Sequence, residues 1–317
     1  MRDMKIIITG GAGFIGSHLA DRLCAEGHGV LVLDNLLTGE RRNLNDDIEF
    51  VEGSVTDGVL IRELMEQTQP DLIIHAAGSY KDPDDWVTDS MTNVVGTAHI
   101  AQAVKDFKIG RLIYFQTSLC YGLQHHTNPV PLDHHLDPKD TSYAISKTAG
   151  EHYIELSGVD HVVFRLANPF GPRNRTGPVP VFYRRLTEGL SCHVTDTRRD
   201  FIFVDDLVDC VMRAAGGAGH GIYHIGSGRD YAIKEVYDEM VRALRLNDIP
   251  NLEVRPRSPD DAYSILLDVK HTHSELDWRA STPLREAIEK TVKWYSENGI
   301  GETFTHLRPP EETKRAT

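Results

Sequence analysis

The sequence predicts an α/β protein built on a doubly wound parallel sheet. Three observations point there: short continuous Val/Ile/Leu runs recur through the first half, helical apolar spacing fills the intervals between them, and a glycine-rich turn joins the first run to the first helix. Residues 4–9 (MKIIIT) read as a buried strand. Behind it Ile15, Leu19, Ala20 and Leu23 fall at helical spacing, and Gly27 closes the pattern. Residues 30–33 form a second strand, and 71–75 (DLIIH), 112–115 and 162–166 repeat the signal, with helices over 93–104 and 142–156. After Asn168 the texture changes. Pro169, Pro172, Pro178 and Pro180 crowd one stretch, and only a strand over 264–268 and helices over 205–215 and 283–295 can be placed. The expected organisation is a sheet domain over 1–167, a smaller domain over 168–305 partly interleaved with the sheet, and a frayed tail over 306–317. No internal repeat is present.

Composition narrows the function. The 317 residues carry 47 Asp and Glu against 34 Lys and Arg, a formal net charge of −13, so a broad nucleic-acid face is excluded. No apolar run approaches the roughly 18 residues of a membrane span. The N-terminus lacks the basic and apolar regions of a secretion signal. Cys24, Cys120, Cys192 and Cys210 are scattered without CxxC spacing, as suits a reducing compartment. The expectation is a soluble cytoplasmic protein.

Thr9-Gly-Gly-Ala-Gly-Phe-Ile-Gly16 links the first strand to the first helix. Gly10 permits the tight turn, Gly13 lets the backbone approach a pyrophosphate, and Gly16 lets the helix pack closely. The helix N-terminus presents N–H groups and a positive dipole end to phosphate. Asp34 ends the second strand, where a carboxylate accepts hydrogen bonds from an adenosine ribose and repels a 2′-phosphate. The pattern therefore predicts NAD, with Arg41 and Arg42 the residues that would favour NADP instead. Glycines serving packing alone are the plainer alternative.

Tyr143-Ala-Ile-Ser-Lys147 sets a phenol and an ammonium four apart on one helix face. A positive charge there lowers the phenol pKa from about 10. Tyr143 could then take a proton from a sugar hydroxyl while hydride leaves the carbon. Thr117, 26 residues earlier, ends a strand.

With these residues in place the chain resembles the extended short-chain dehydrogenase/reductases, specifically the NAD-dependent nucleotide-sugar epimerase/dehydratase family. TGGAGFIG, DNLLTG (34–39), HAAG (75–78), NVVGT (93–97), TSLCYG (117–122), YAISK, RLANPFGPR (165–173), RRDFIFVDD (198–206), IGSG (225–228) and TVKWY (291–295) match in order, to about residue 297. The resemblance implies a Rossmann sheet with a C-terminal substrate-binding domain, and a Thr117-Tyr143-Lys147 triad. It implies NAD contacts at Gly10, Gly13, Phe14, Ile15, Gly16, Asp34, Asn35, Ala76, Ala77, Tyr143 and Lys147. Nucleotide-sugar contacts follow at Ser118, Asn168, Arg173, Arg199 and Arg257, with Arg199 clamping the diphosphate. It also implies a homodimer paired through the helices over 93–104 and 142–156, and a setting in surface-polysaccharide or O-antigen synthesis.

The turn after Thr117 bears on the reaction. Family dehydratases carry Asp-Glu there and decarboxylases a Glu two places on, whereas this chain has Ser118-Leu119. Neither side chain serves as acid or base. The expected activity is therefore reversible oxidation at C4 of a UDP-hexose, N-acetylhexosamine or hexuronate. Hydride then returns to the other face, which is 4-epimerisation. Dehydration or decarboxylation would need acids from another loop, and a non-catalytic NAD-binding regulator is the alternative outside enzymes. Arg173, Arg175 and Lys81 could meet a uronate carboxylate or face water. Val194-Thr195-Asp196-Thr197 replaces a Gly-Asp-Gly turn, and Ser54 stands where relatives often place an Asp near the adenine. No metal is expected: His125, His126, His134 and His135, with Asp133 and Asp137, read as a substrate-covering loop. Cys120, Trp278 and Trp294 read as core, and Asp84-Asp85 as a solvated turn.

Overall fold

Strand β1 (Lys5–Thr9) buries Ile6, Ile7 and Ile8 on both faces, which only a sheet covered by helices on each side allows. In the computed structural model, which describes residues 3–123, 127–257 and 262–304, β1 lies inside a seven-stranded sheet. Helix α1 (Phe14–Ala25), β2 (Gly29–Asp34), β3 (Glu49–Glu52), α2 (Gly58–Thr68) and β4 (Leu72–His75) follow in turn. A helical stretch of α3 (Trp86–Asp89), a π-helical turn (Ser90–Gly96) and α4 (Thr97–Asp106) then leads to β5 (Arg111–Thr117). A 3-10 turn (Ser118–Tyr121) precedes α5 (Ser142–Ser157) and β6 (His161–Leu166). The sheet is completed by β10 (Gly221–Ile225), in the order β10-β6-β5-β4-β1-β2-β3, and every pairing is parallel. The doubly wound α/β class predicted from the sequence is what the chain adopts. Strand order reverses between β1 and β4, and that switch point is where such sheets bind ligands at their carboxyl edge.

The first-half strands fall where the apolar runs placed them. The helix expected over 93–104 instead starts at Trp86. Asp85, read from sequence as part of a solvated turn, caps it by accepting from Thr88 N at 3.0 Å. The π-helical turn carries Asn93, which is fully buried and bonds Ser79 O and Ser146 Oγ, each at 3.0 Å. The pattern missed the start because Trp86, Val87 and Met91 are exposed and break the apolar rhythm.

Beyond β6 the chain forms β7 (Asn168–Phe170), α6 (Pro178–Thr187), β8 (Cys192–Thr195), β9 (Arg198–Phe203) and α7 (Val204–Ala215). It returns to the large sheet through β10, so the prolines mark no clean break. Strands β11 (Asp230–Ala232) and β13 (Ser264–Ile265) flank β9, which also pairs with β7. Helix α8 (Ile233–Leu244) leads to β12 (Leu252–Arg255), paired with β8. Helices α9 (Lys270–Leu276) and α10 (Leu284–Asn298) close the fold. The strand expected over 264–268 shrinks to two residues, with Leu267 bridging to Val130. Cys120 and Trp278 are core residues, and burial pushes the Cys120 thiol up to about 12. His125, His126, Asp260, Asp261 and the 306–317 tail lie outside the described residues. Among the described residues no helix is long and apolar enough to cross a membrane.

Candidate active site

Register alone gathers the candidate residues. Thr9 pairs with Leu33 and His75, His75 with Tyr114, and Thr117 with Leu166. Gly10, Asp34, Ala76, Thr117 and Asn168 therefore emerge along one carboxyl edge.

The glycine loop is built for close approach. Gly10 has φ +68°, and a Cβ there would stand 2.5 Å from Ala77 N. A Cβ on Gly16 would meet the Gly10 carbonyl oxygen at 2.4 Å, so the first turn of α1 packs onto the loop itself. Gly13, in extended conformation, is the N-cap of α1 and offers no side chain to its N–H groups; Phe14 and Ile15 open that turn. These features fit a dinucleotide pyrophosphate. Asp34 accepts from Ala12 N at 2.9 Å and Leu36 N at 2.8 Å, and burial raises its carboxyl pKa despite those bonds. Asn35 is exposed and accepts from Leu37 N. The arginines that would favour NADP are engaged: Arg41 donates to Leu44 O and lies over Phe50, and Arg42 pairs with Glu40. Ser54 bonds Thr56.

Helix α5 carries Tyr143 and Lys147. The sequence expectation that Lys147 lowers the Tyr143 pKa is not what the structure shows. Burial pushes the phenol above 10.0, and Tyr80 and Asp89 push the same way. The Lys147 ammonium lies over the Tyr114 ring instead, 3.9 Å from its centroid, and burial brings its pKa down to about 7. The Tyr80 ring meets Tyr143 edge-on at 6.2 Å. Below them Thr97 Oγ1 donates to Asn93 O at 2.7 Å and so accepts from His75 Nε2 at 3.0 Å. His75 Nδ1 then accepts from Thr9 Oγ1 at 2.6 Å, which fixes a neutral ring. Burial and Lys147 hold that histidine down to about 3.

Thr117 caps the 3-10 turn, its Oγ1 accepting from Leu119 N at 3.2 Å, and Ser118 beside it is buried. Asn168 donates to Asp200 O at 2.9 Å, within the β7–β9 pairing. Arg199 Nη1 donates to Arg198 O and Ala262 O, while Arg257 is exposed beyond β12. Arg173, expected at the substrate, pairs with Asp21 at 2.7 Å; Arg175 pairs with Glu40 at 2.7 Å, and Lys81 with Glu302 at 3.8 Å. The cations considered for a uronate thus meet carboxylates of the chain itself, because α1, Glu40 and the 299–304 segment fold against them. Tyr80, Asp89 and Tyr114 carried no sequence signal of their own. Asp89 is buried near Tyr143 and held by Ser142 and Ser79. Among the described residues no group of His, Cys, Asp or Glu has the arrangement of a metal site.

The model of the NAD dependent epimerase/dehydratase family matches residues 6–226. The chain belongs to that family. NAD is its cofactor, and the glycine loop and Asp34 are the residues suited to hold it. A UDP-glucose 4-epimerase of Mycolicibacterium smegmatis is 33% identical over 314 residues, spanning 92% of this chain and 98% of that protein. UDP-glucuronic acid decarboxylase 2 of Arabidopsis thaliana is 27% identical over 325 residues, 95% of this chain and 70% of its own length. The Bordetella bronchiseptica enzyme WbmH in complex with NAD+ superposes with a TM-score of 0.91 at 49% identity, covering 94% of this chain and 100% of that one. WbmG of the same organism, in complex with NAD and UDP, gives 0.88 at 38% identity, covering 96% and 98%.

Proposed function

We propose that this member of the NAD-dependent epimerase/dehydratase family inverts C4 of a UDP-activated hexose, N-acetylhexosamine or hexuronate. The observation that carries the reading is the turn after Thr117, where Ser118 and Leu119 offer no acid or base beside the Thr117-Tyr143-Lys147 set. Tyr143 takes the proton of the C4 hydroxyl and later returns it, and Thr117 orients that hydroxyl. Burial holds the Tyr143 phenol protonated in the structure, and the part proposed for Lys147 is to supply the positive charge that stabilises the phenolate once cofactor and sugar are bound. NAD held by the Gly10–Gly16 loop and Asp34 would supply the reversible hydride acceptor for C4, and none would be consumed. Between the two transfers the 4-keto sugar turns over in the site. Arg199, Asn168, Ser118, Arg173 and Arg257 are the proposed contacts to the nucleotide sugar. WbmG's complex with UDP and the epimerase name of the M. smegmatis relative support the substrate class.

A second reading, dehydration or decarboxylation, is favoured by Asp89, a buried carboxyl whose charge Tyr143 feels, and by the decarboxylase relative. Incubation with UDP-glucose, UDP-N-acetylglucosamine and UDP-glucuronate, followed by separation of the C4 epimers, tests the first against the second.

The proposal includes a homodimer. Trp86, Val87 and Met91 on the α3–α4 stretch and Ile145, Tyr153 and Leu156 on α5 are large apolar side chains left exposed on helices that pack side by side. It also places the enzyme in the cytoplasm, supplying a sugar to surface-polysaccharide assembly.

A further inference from the structure

Glu151 sits one helical turn after Lys147, the spacing at which a lysine and a glutamate meet on a helix face. They do not meet. Among the described residues no ion pair joins them, and the Lys147 ammonium lies over Tyr114. Arg165 of β6 holds both Glu151 oxygens instead, Nη2 to Oε1 at 2.5 Å and Nε to Oε2 at 3.1 Å, with both side chains almost fully buried. Arg165 is fixed from its other side as well: Nη1 donates to the Tyr121 hydroxyl at 2.7 Å and to Leu132 O at 3.2 Å. His224 Nδ1 faces the carbonyl of Asp268 at 2.9 Å, so it carries the proton, and Nε2 accepts from Tyr121 at 2.6 Å. Donors thus run from Arg165 through Tyr121 and His224 to Asp268. Neither the triad nor the cofactor loop accounts for this buried chain.

We propose that Arg165 is a positioning residue for Lys147: by occupying both oxygens of Glu151 it keeps the ammonium from folding back along α5 and leaves it over the Tyr114 ring. The proposal rests on reading Lys147 as the ammonium that assists Tyr143. On α5 itself Lys147 has Tyr143 one turn before it and Glu151 one turn after, and from the sheet it meets His75 of β4 and Tyr114 of β5. Burial keeps both phenols protonated and His75 neutral, so Glu151 is the charged neighbour that matters. Facing Glu151 are Arg165, Tyr121, Tyr114 and the un-ionised Cys120 thiol. Burial brings the Lys147 pKa down to about 7, and the Glu151 charge acts against it only in part.

The test is a Lys147 Nζ titration by 15N NMR on the full chain with NAD bound, run beside turnover. In Arg165→Met the released carboxylate captures Lys147, so its midpoint rises by about 1–2 pH units. Turnover falls by about tenfold or more in the same variant. In Glu151→Gln/Arg165→Met the pair is uncharged: the midpoint returns to or below the parent value and most of the lost rate is recovered. A brace with no influence on Lys147 would slow both variants and leave the midpoint still. If Arg165→Met does not fold, Arg165→Lys, a point charge in place of a fork, gives a smaller upward shift. An unmoved midpoint in whichever single variant folds, or a double variant as impaired as Arg165→Met, overturns the proposal. A midpoint that moves as stated while no UDP-sugar is turned over would leave it standing and count against the epimerase reading alone.

Discussion

The Lys147 ammonium rests 3.9 Å from the centroid of the Tyr114 ring, and the Tyr114 hydroxyl donates in turn to the Lys147 carbonyl at 3.1 Å. The ring shelters the charge, and burial lowers the lysine pKa from 10.5 to about 7. In the unfolded chain the group titrates near its ordinary value. Between the two values the unfolded state therefore binds the extra proton, and this residue's contribution to stability improves as pH rises from 7 to 10.5. Below 7 the charged form is buried at full cost. Lys147→Met is expected to stabilise the fold most below pH 7, by up to about 1.4 kcal/mol for each unit of the window, and to show no gain by pH 10.5. Calorimetry across that range checks it, and a gain independent of pH would contradict it.

Tyr143→Phe keeps the edge-on contact with Tyr80 and removes only the hydroxyl. Turnover is expected to fall by about 10²–10⁴-fold. NAD affinity should stay within about fivefold of the parent, since one hydroxyl's hydrogen bond contributes only about 1 kcal/mol. Equilibrium binding and steady-state rates separate the two. Unchanged turnover would remove Tyr143 from the chemistry and bring back the regulator.

Gly10→Ala should cost both cofactor and fold. The residue holds φ +68°, and the new methyl would stand 2.5 Å from Ala77 N. A strained backbone of this kind costs about 1–3 kcal/mol before the clash is relieved. NAD titration followed by fluorescence should show binding lost at micromolar cofactor, with a lowered Tm. Parent-like affinity would mean that the loop does not contact the pyrophosphate.

How much could be read from the residues depended on how local each signal was. The glycine turn, the acid ending β2 and the Tyr143–Lys147 pair lie within a few residues of the elements that position them, and they were legible. Asp85 was not, because its capping partner Thr88 lies in a turn whose apolar residues face outward. The partners of Arg173, Arg175 and Lys81 are Asp21, Glu40 and Glu302, each brought in by another part of the chain. A sequence shows those cations but not what neutralises them. Glu151 and Arg165 likewise meet only because α5 packs on the sheet beside β6, and the return of β10 to that sheet left no compositional trace.

The exposed apolar side chains on α3 and α5 predict a particle of twice the 35.5 kDa chain in sedimentation at micromolar concentration. Leu156→Arg with Val87→Glu should shift it to the single-chain mass with an unchanged far-UV spectrum. A parent protein that already sediments as one chain would sink the dimer.

The most direct test of 4-epimerisation is proton NMR in D₂O, with the purified protein, catalytic NAD and a panel of UDP-hexoses and hexuronates. The account predicts that the H4 couplings change between axial and equatorial patterns while C5 and C6 take up no deuterium. Deuterium at C5 or C6, a stable keto sugar or a pentose product would contradict it, and would assign Asp89 the acid–base role that Ser118 and Leu119 cannot fill.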